Sequence, residues 1–365
     1  MNFIANASPS SIDERDYYFK PIIRSAFPPE LDLIPDVFAV EDQLSQGSCV
    51  ANGVVSMCEI MLKRAGKGRH LSREFLYHEA LKLEGRLGQE GLNSRDAFKV
   101  GRRLGIPDEA IYPYDISKRD VDPPQEVYDA AKAQVLDRFE NLGFPQWGAV
   151  EQKLATIKGA LCEGLPVGFV MPVTDSYSRL QGDWHQQSYR PYGSGDTVLG
   201  YHFQVYVAWD DAVQKLCALN SWNKIFGDGG FAGIPFVDLG SVVEAWVILG
   251  FDGCDQFREP GIYCTRNDST GISAQIVPTE AEQGKTTNIW LAGKLDGAWA
   301  VKDLVGEWKP YTGGEIPCAW PNAVLDGAVD IDIQDGDLSS LKGAEAYVAY
   351  GNSPLDWKFS RICTL

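Results

Sequence analysis

Cys49 ends the run Gln43-Leu44-Ser45-Gln46-Gly47-Ser48-Cys49, and His202 and Asn220-Ser221-Trp222 follow far downstream. A thiol is a weak nucleophile until a base draws off its proton and a cation holds the thiolate. An imidazole supplies both, provided a third group fixes its ring. Cys49, His202 and Asn220 are the residue types that arrangement needs, at separations of 202 − 49 = 153 and 220 − 49 = 171. Gln43 offers an amide donor for a developing oxyanion just ahead of the thiol, with Gln46 as a nearby competitor. A Cys opening an apolar helix is ordinarily a buried small hydrophobe, which is the reading for Cys58 and Cys162. His70, His78 and His185 lack any such context and default to surface roles.

Elements must bring these residues together. Val50, Val54, Met57, Cys58, Met61 and Leu62 recur at helical spacing, so Cys49 to about Arg64 reads as a helix. The thiol then sits at a helix N-terminus, where free N–H groups and the dipole favour a thiolate. Leu71 to Leu83, Ser94 to Leu104 and Gln125 to Asp137 read as further helices. From Pro166 the pattern turns to strands: Val167 to Met171, Phe203 to Trp209, Leu216 to Leu219 and Val242 to Leu249. A polar loop, Thr174 to Asp196, carries Trp184, Tyr189 and Tyr192, which either wall a cleft or close a surface turn.

At these residues the sequence resembles the papain-like cysteine peptidases. Gln43 stands six positions before Cys49, as the family's Gln does, and Leu71-Ser72 resembles the start of its second helix. Ala97-Phe98, Leu104-Gly105-Ile106 and Tyr112-Pro113-Tyr114 are similar to its helix, Gly-Ile turn and Tyr-Pro-Tyr loop. Gly164-Leu165-Pro166-Val167, Asn220-Ser221-Trp222 and Gly227, Gly230, Phe231 complete a resemblance that covers roughly Phe27 to Phe251. It implies an α+β fold, a helical half plus an antiparallel β-barrel-like half. It further implies Cys49 as nucleophile, His202 as base, Asn220 orienting that base, and Gln43 at the oxyanion. Trp222 would shield the His202–Asn220 bond, and Gly91, Leu92 and Tyr201 join it as substrate-binding residues, with Gly91-Leu92 near P2. Three departures stand out: Val50 in place of an aromatic residue, Phe203 in place of Ala, and Asn223 in place of Gly. The implied activity is peptide-bond hydrolysis through an acyl-enzyme, with no metal or cofactor. Protein deamidation or acyl transfer by the same triad, and an occluded binding module, are the alternatives.

Composition narrows the partners. With 33 Lys and Arg against 50 Asp and Glu, the net charge of −17 argues against nucleic acid. No apolar run approaches the ~18 residues of a membrane span. The N-terminus lacks a signal peptide's basic and apolar regions, so the expectation is a cytoplasmic chain or export by a route that reads no such signal. The eight cysteines are irregularly spaced. The disulfide partners that extracellular family members usually carry are replaced by Gln46 and Gln89, while Cys254 and Cys264 are candidates for a local bridge. Residues 1–26 read as an arm, either packed on the surface or lying in the cleft with Tyr17-Tyr18-Phe19 in its subsites. Residues 27–253 form the expected peptidase domain. Residues 254–365, with short candidate strands at Ile272 to Ile276, Asn288 to Gly293, Ala298 to Val301, Val329 to Ile333 and Ala344 to Tyr350, suggest an all-β sandwich-like domain. That domain is expected to be a stabilising or targeting module, binding a protein or surface partner in the latter case.

Overall fold

The computed structural model describes residues 4–13, 16–21, 27–143, 149–252, 261–268, 271–279, 282, 284–313, 316–325, 329–335, 341, 343–352 and 358–364. Cys254 lies outside them, so the proposed bridge to Cys264 does too. The chain divides into two compact units, residues 1–19 with 26–256 and residues 20–25 with 257–365.

The first unit is α+β. In chain order it holds β1 (Glu30–Asp32), α1 (Cys49–Arg64), α2 (Arg73–Leu83), α3 (Ser94–Leu104), α4 (Gln125–Ala131), β2 (Leu136–Asn141), α5 (Val150–Cys162), β3 (Val167–Thr174), α6 (Asp175–Ser178), β4 (Val198–Asp210), β5 (Lys215–Leu219), β6 (Phe231–Pro235) and β7 (Glu244–Phe251). Helix α1 packs against β3, β4, β7, α2 and α3. Its residues 49–62 are accordingly all buried, as a helix covered on every side requires. Ser72 caps α2 by accepting from the Phe75 N–H at 3.2 Å. Gly105 ends α3 at φ 81°, and a Cβ there would lie 1.9 Å from the Ala131 carbonyl oxygen.

The strands form one antiparallel sheet in the order β2-β7-β3-β4-β5-β6, with β1 added on β4. His202 pairs with Met171, and Phe203 pairs with Val170, which pairs in turn with Glu244. The helix expected to reach Asp137 stops at Ala131. Phe139 is instead drawn into a strand, where its ring stacks on Phe98 at 5.2 Å and meets Trp246 at 5.9 Å.

Phe203 has a slot cut for it. A Cβ on Gly53 of α1 would sit 2.3 Å from its ring, and a Cβ on Gly168 of β3 would sit 2.4 Å away. A glycine inside a helix ordinarily costs about 0.5–1 kcal/mol relative to Ala. Here the overlap reverses that preference. Gly53→Ala is therefore expected to lower stability by roughly 2–3 kcal/mol, the cost of overpacking. Adding Phe203→Ala should recover part of the loss relative to the sum of the single changes, as read from denaturant midpoints.

The second unit is all β, with β8 (Gly261–Asp268), β9 (Gly271–Val277), β10 (Thr286–Leu295), β11 (Ala298–Lys302), β12 (Trp308–Pro310), β13 (Trp320–Val324), β14 (Val329–Asp335), β15 (Glu345–Gly351) and β16 (Lys358–Thr364). One sheet runs β12-β11-β10-β15-β16 with β13 on β10, and the other runs β14-β9-β8. Ile272, Ala274, Ile276, Ile331 and Ile333 from the smaller sheet share a core with Ile289, Leu291, Val348 and Tyr350 from the larger. Two sheets joined face to face by one apolar layer make a sandwich.

Candidate active site

Sheet and helix converge on Cys49, the first residue of α1. His202 rises from β4 and Asn220 follows β5 directly. The His202 Nε2 lies 2.9 Å from the Asn220 Oδ1. That oxygen also accepts from the Ser221 N–H at 2.7 Å, which identifies it as the carbonyl end of the amide. His202 must then donate from Nε2, leaving Nδ1 with the lone pair. Nδ1 is buried and has no hydrogen-bond partner among the described residues. The Trp222 indole stacks on the imidazole at 4.3 Å and 24°.

Gln43 is tied to the same segment. Its N–H donates to the Ser221 carbonyl at 2.9 Å, and the Ser221 hydroxyl donates to its Oε1 at 2.7 Å. Ser221 thereby turns the Gln43 Nε2 away from itself, toward the Gln46 carbonyl at 3.0 Å and the Ile4 carbonyl at 3.1 Å. Gln46 points elsewhere, donating to Glu74 at 3.0 Å. Asn223 sits at φ 69°, a left-handed position that Asn tolerates where Gly is usual, and its amide donates to Asp42 at 2.9 Å.

The sequence reading missed a layer beneath the imidazole. Tyr177 donates to the Gln204 Oε1, and its ring meets Trp222 at 6.1 Å and Tyr189 at 5.0 Å. Gln204 is two residues past His202, hence on the same strand face, and a polar residue inside that apolar strand was the available signal. Of the loop aromatics, Tyr189 joins this layer, Trp184 stacks on His185 at 3.7 Å, and Tyr192 is exposed. His78 is not at the surface: it is buried, with Nδ1 2.7 Å from the Arg119 carbonyl and Nε2 3.1 Å from Asp122.

The arm runs through the groove between these elements. The Ile4 carbonyl accepts from Gln43 and, at 3.4 Å, from the Trp222 Nε1. The Ala7 N–H donates to the Tyr201 carbonyl and the Ser8 N–H to the Leu92 carbonyl, both at 2.8 Å. Gly91 (φ 85°) and Gly200 (φ 147°) flank the passage, and a Cβ on either would lie 2.1 Å from the Asn6 or Ala5 carbonyl oxygen. The groove is as wide as a peptide backbone and no wider. Tyr17-Tyr18-Phe19 are not in it. Tyr17 is 71% exposed, whereas Phe19 is 1% exposed and its N–H bonds the Asn141 carbonyl at 2.8 Å. Backbone pairing and burial of Phe19 decide that placement.

Coverage sets the charge state. Burial pushes the Cys49 thiol up, against hydrogen bonds from the Phe203 and Asn6 backbone. It pushes the His202 imidazole down to about 4, opposed by Asn220. The helix N-terminus was expected to favour a thiolate, but desolvation outweighs it here. Both groups are neutral in the covered state. A base with a depressed folded pKa stabilises fully above its unfolded value near 6.5 and loses that contribution as pH falls toward 4. Relative to His202→Gln, the native chain should therefore lose roughly 2 kcal/mol between pH 7 and 4.5, read from paired thermal melts.

Behind the loop that leads to Cys49, Glu41 bonds His70 at 2.8 Å and pairs with Arg73, while Glu59 accepts from the Leu71 N–H at 2.8 Å. The ligand atoms of Glu41, Glu59 and His70 lie within 4.8 Å of one another. The Arg73 guanidinium already supplies a cation beside them, so the group reads as an ion-pair network that braces the loop.

Comparison with known proteins identifies the family and the fold. The papain family cysteine protease profile matches residues 28–236, more than half of the chain. An uncharacterized peptidase C1-like protein of Acanthamoeba polyphaga mimivirus is 25% identical over 221 residues, 59% of this chain and 71% of that protein. Among solved structures, xylellain, a cysteine protease from Xylella fastidiosa, superposes with a TM-score of 0.58 at 24% identity, covering 67% of this chain and 95% of its own. Procathepsin B from Trypanosoma congolense gives 0.51 at 16% identity, covering 67% and 85%. The chain belongs to the papain family of cysteine proteases and is a papain-like cysteine peptidase.

Proposed function

We propose that the chain hydrolyses peptide bonds through Cys49, His202 and Asn220, and that its own residues 4–8 hold the cleft closed until they are displaced. His202 Nδ1 takes the Cys49 proton, and the sulfur attacks the scissile carbonyl. The oxyanion is held by the Gln43 Nε2 and the Cys49 backbone N–H. The imidazolium then gives its proton to the departing amine, and water resolves the acyl-enzyme. Asn220 keeps Nε2 occupied, so that Nδ1 is the nitrogen left to take the thiol proton. The observation that carries this reading is the 2.9 Å His202–Asn220 bond beside a backbone-wide groove that already holds a peptide.

The direction of the arm supports inhibition without cleavage. A substrate would lay the residues before its scissile bond along Gly91-Leu92 and those after it beside Trp222. The arm runs the other way, with Ile4 at Trp222 and Ser8 at Leu92. Inversion moves the amide nitrogen off the side where His202 would protonate it.

A fluorogenic peptide assay followed by mass spectrometry of a treated protein tests the reaction class. New peptide termini are the expected result. Glutamine or asparagine deamidation without new termini would favour the transferase-type alternative, and inertness after removal of the arm would favour the binding module.

A further inference from the structure

Four cations on α3, Arg95, Lys99, Arg102 and Arg103, stand at i, i+4, i+7 and i+8 and so form one stripe along the helix. All four line a cavity of about 620 Å³, within the size range of small-molecule sites. Among the described residues, Tyr17, Leu83, Phe139 and Trp246 form its apolar walls, and Asp13 and Asp16 are acidic. In a chain with 17 more acids than bases, this concentration of positive charge needs a cause. The helix dipole accounts for Arg102 and Arg103 in the last turn, but not for a stripe that faces a cavity walled by aromatic rings. Asp16 is already committed: it takes both the Nε and Nη2 of Arg95, at 2.9 and 2.6 Å. Among the described residues the exposed Lys99 has the half-buried Asp96, at 2.9 Å, and Arg102 and Arg103 have no partner.

We propose that this cavity binds a small phosphorylated molecule bearing a planar aromatic group, and that the bound phosphate competes with Asp16 for Arg95 and so loosens the arm. The second half rests on the reading that the arm inhibits. A phosphate offers the guanidinium fork the same two-oxygen face as a carboxylate, with more charge. Lys99, Arg102 and Arg103 supply the countercharge, and the rings receive the aromatic group. Arg95 clamps the arm twice, because its Nη2 also donates to the Ser11 carbonyl at 2.7 Å. Losing that clamp releases Ser11 and Asp16, leaving the segment just beyond the groove held by Ser10, whose N–H donates to Glu244 and whose hydroxyl donates to Asn93, both at 2.9 Å.

Calorimetry on the full chain carrying Cys49→Ala, with 1-naphthyl phosphate and inorganic phosphate as probes, tests the site independently of catalysis. The naphthyl ester is expected to bind at least about tenfold more tightly than phosphate, to weaken with added salt, and to lose about tenfold or more in Arg102→Ala/Arg103→Ala. No binding, or equal binding to that exposed double variant, overturns the site. With Cys49 intact, the ester should raise peptide turnover several-fold, and should do so neither in the double variant nor in a chain lacking residues 1–9. Binding without stimulation overturns the coupling. If removing residues 1–9 does not itself raise turnover, the inhibition reading has failed, and the calorimetry still decides the site.

Discussion

Removing residues 1–9 is expected to raise kcat/KM on short peptides by about tenfold or more, through a lower apparent KM at little changed kcat. On the proposed reading the arm acts as a tethered competitor, and tethering would give it an effective concentration on the order of millimolar. It fills the Gln43 donor, the Tyr201 and Leu92 carbonyls and the glycine-lined passage together, so a substrate must displace all of them. A competitor of that kind scales KM by the closed fraction and leaves the open enzyme's chemistry alone. The cut must stop short of Asp16 and Phe19. Those residues anchor the arm through Arg95 and Asn141, and removing them would cost stability for a separate reason. Steady-state kinetics on the trimmed chain decide the matter. A lower melting temperature with unchanged or reduced activity per folded molecule would mean that residues 4–8 serve only as packing.

Cys49→Ala should abolish hydrolysis, a loss on the order of 10⁴-fold or more, because the covalent route disappears with the sulfur. The fold should survive, since the change removes one small buried atom. Cys58→Ala and Cys217→Ala should leave turnover nearly intact. Both thiols are buried and held well above the usual range, mainly by desolvation, so neither is poised to react. His202→Ala should fall almost as far as Cys49→Ala, and Asn220→Ala less far, because Asn220 steers the base without supplying it. Loss of activity in Cys58→Ala with survival in Cys49→Ala would mean the nucleophile is misassigned.

Much of the catalytic half was legible in the sequence because its signals are local. The helix from Cys49 to Arg64 shows in its apolar spacing, and Ser72 and Gly105 mark a helix start and a helix end. The parts that stayed hidden depend on long-range contacts. Helix α5 has no side-chain cap bond at Ala149, and β2 is a strand where Phe139 meets Phe98 and Trp246. Phe203 looked like a departure from the family until Gly53 and Gly168, 115 residues apart in sequence (168 − 53), turned out to make room for it. The same limit explains the arm. Aromatic Tyr17-Tyr18-Phe19 drew attention by composition, yet small, plain Ile4-Ala5-Asn6-Ala7-Ser8 fits a groove walled by Gly91 and Gly200. Tyr177 and Gln204, which support Trp222 and the imidazole strand, carry no motif at all.

The most direct test is the pH dependence of Cys49 alkylation by iodoacetamide, followed by mass spectrometry in the full chain and in the chain lacking residues 1–9. With the arm gone, water and the freed imidazole should let a thiolate–imidazolium pair form, so that Cys49 reacts readily at pH 5–6, well below the roughly 8.5 of a free thiol. The full chain should react far more slowly at the same pH, because the covered thiol and imidazole are both neutral. Alkylation that rises only near the free-thiol value in the trimmed chain, or proceeds equally fast in both, would contradict the account.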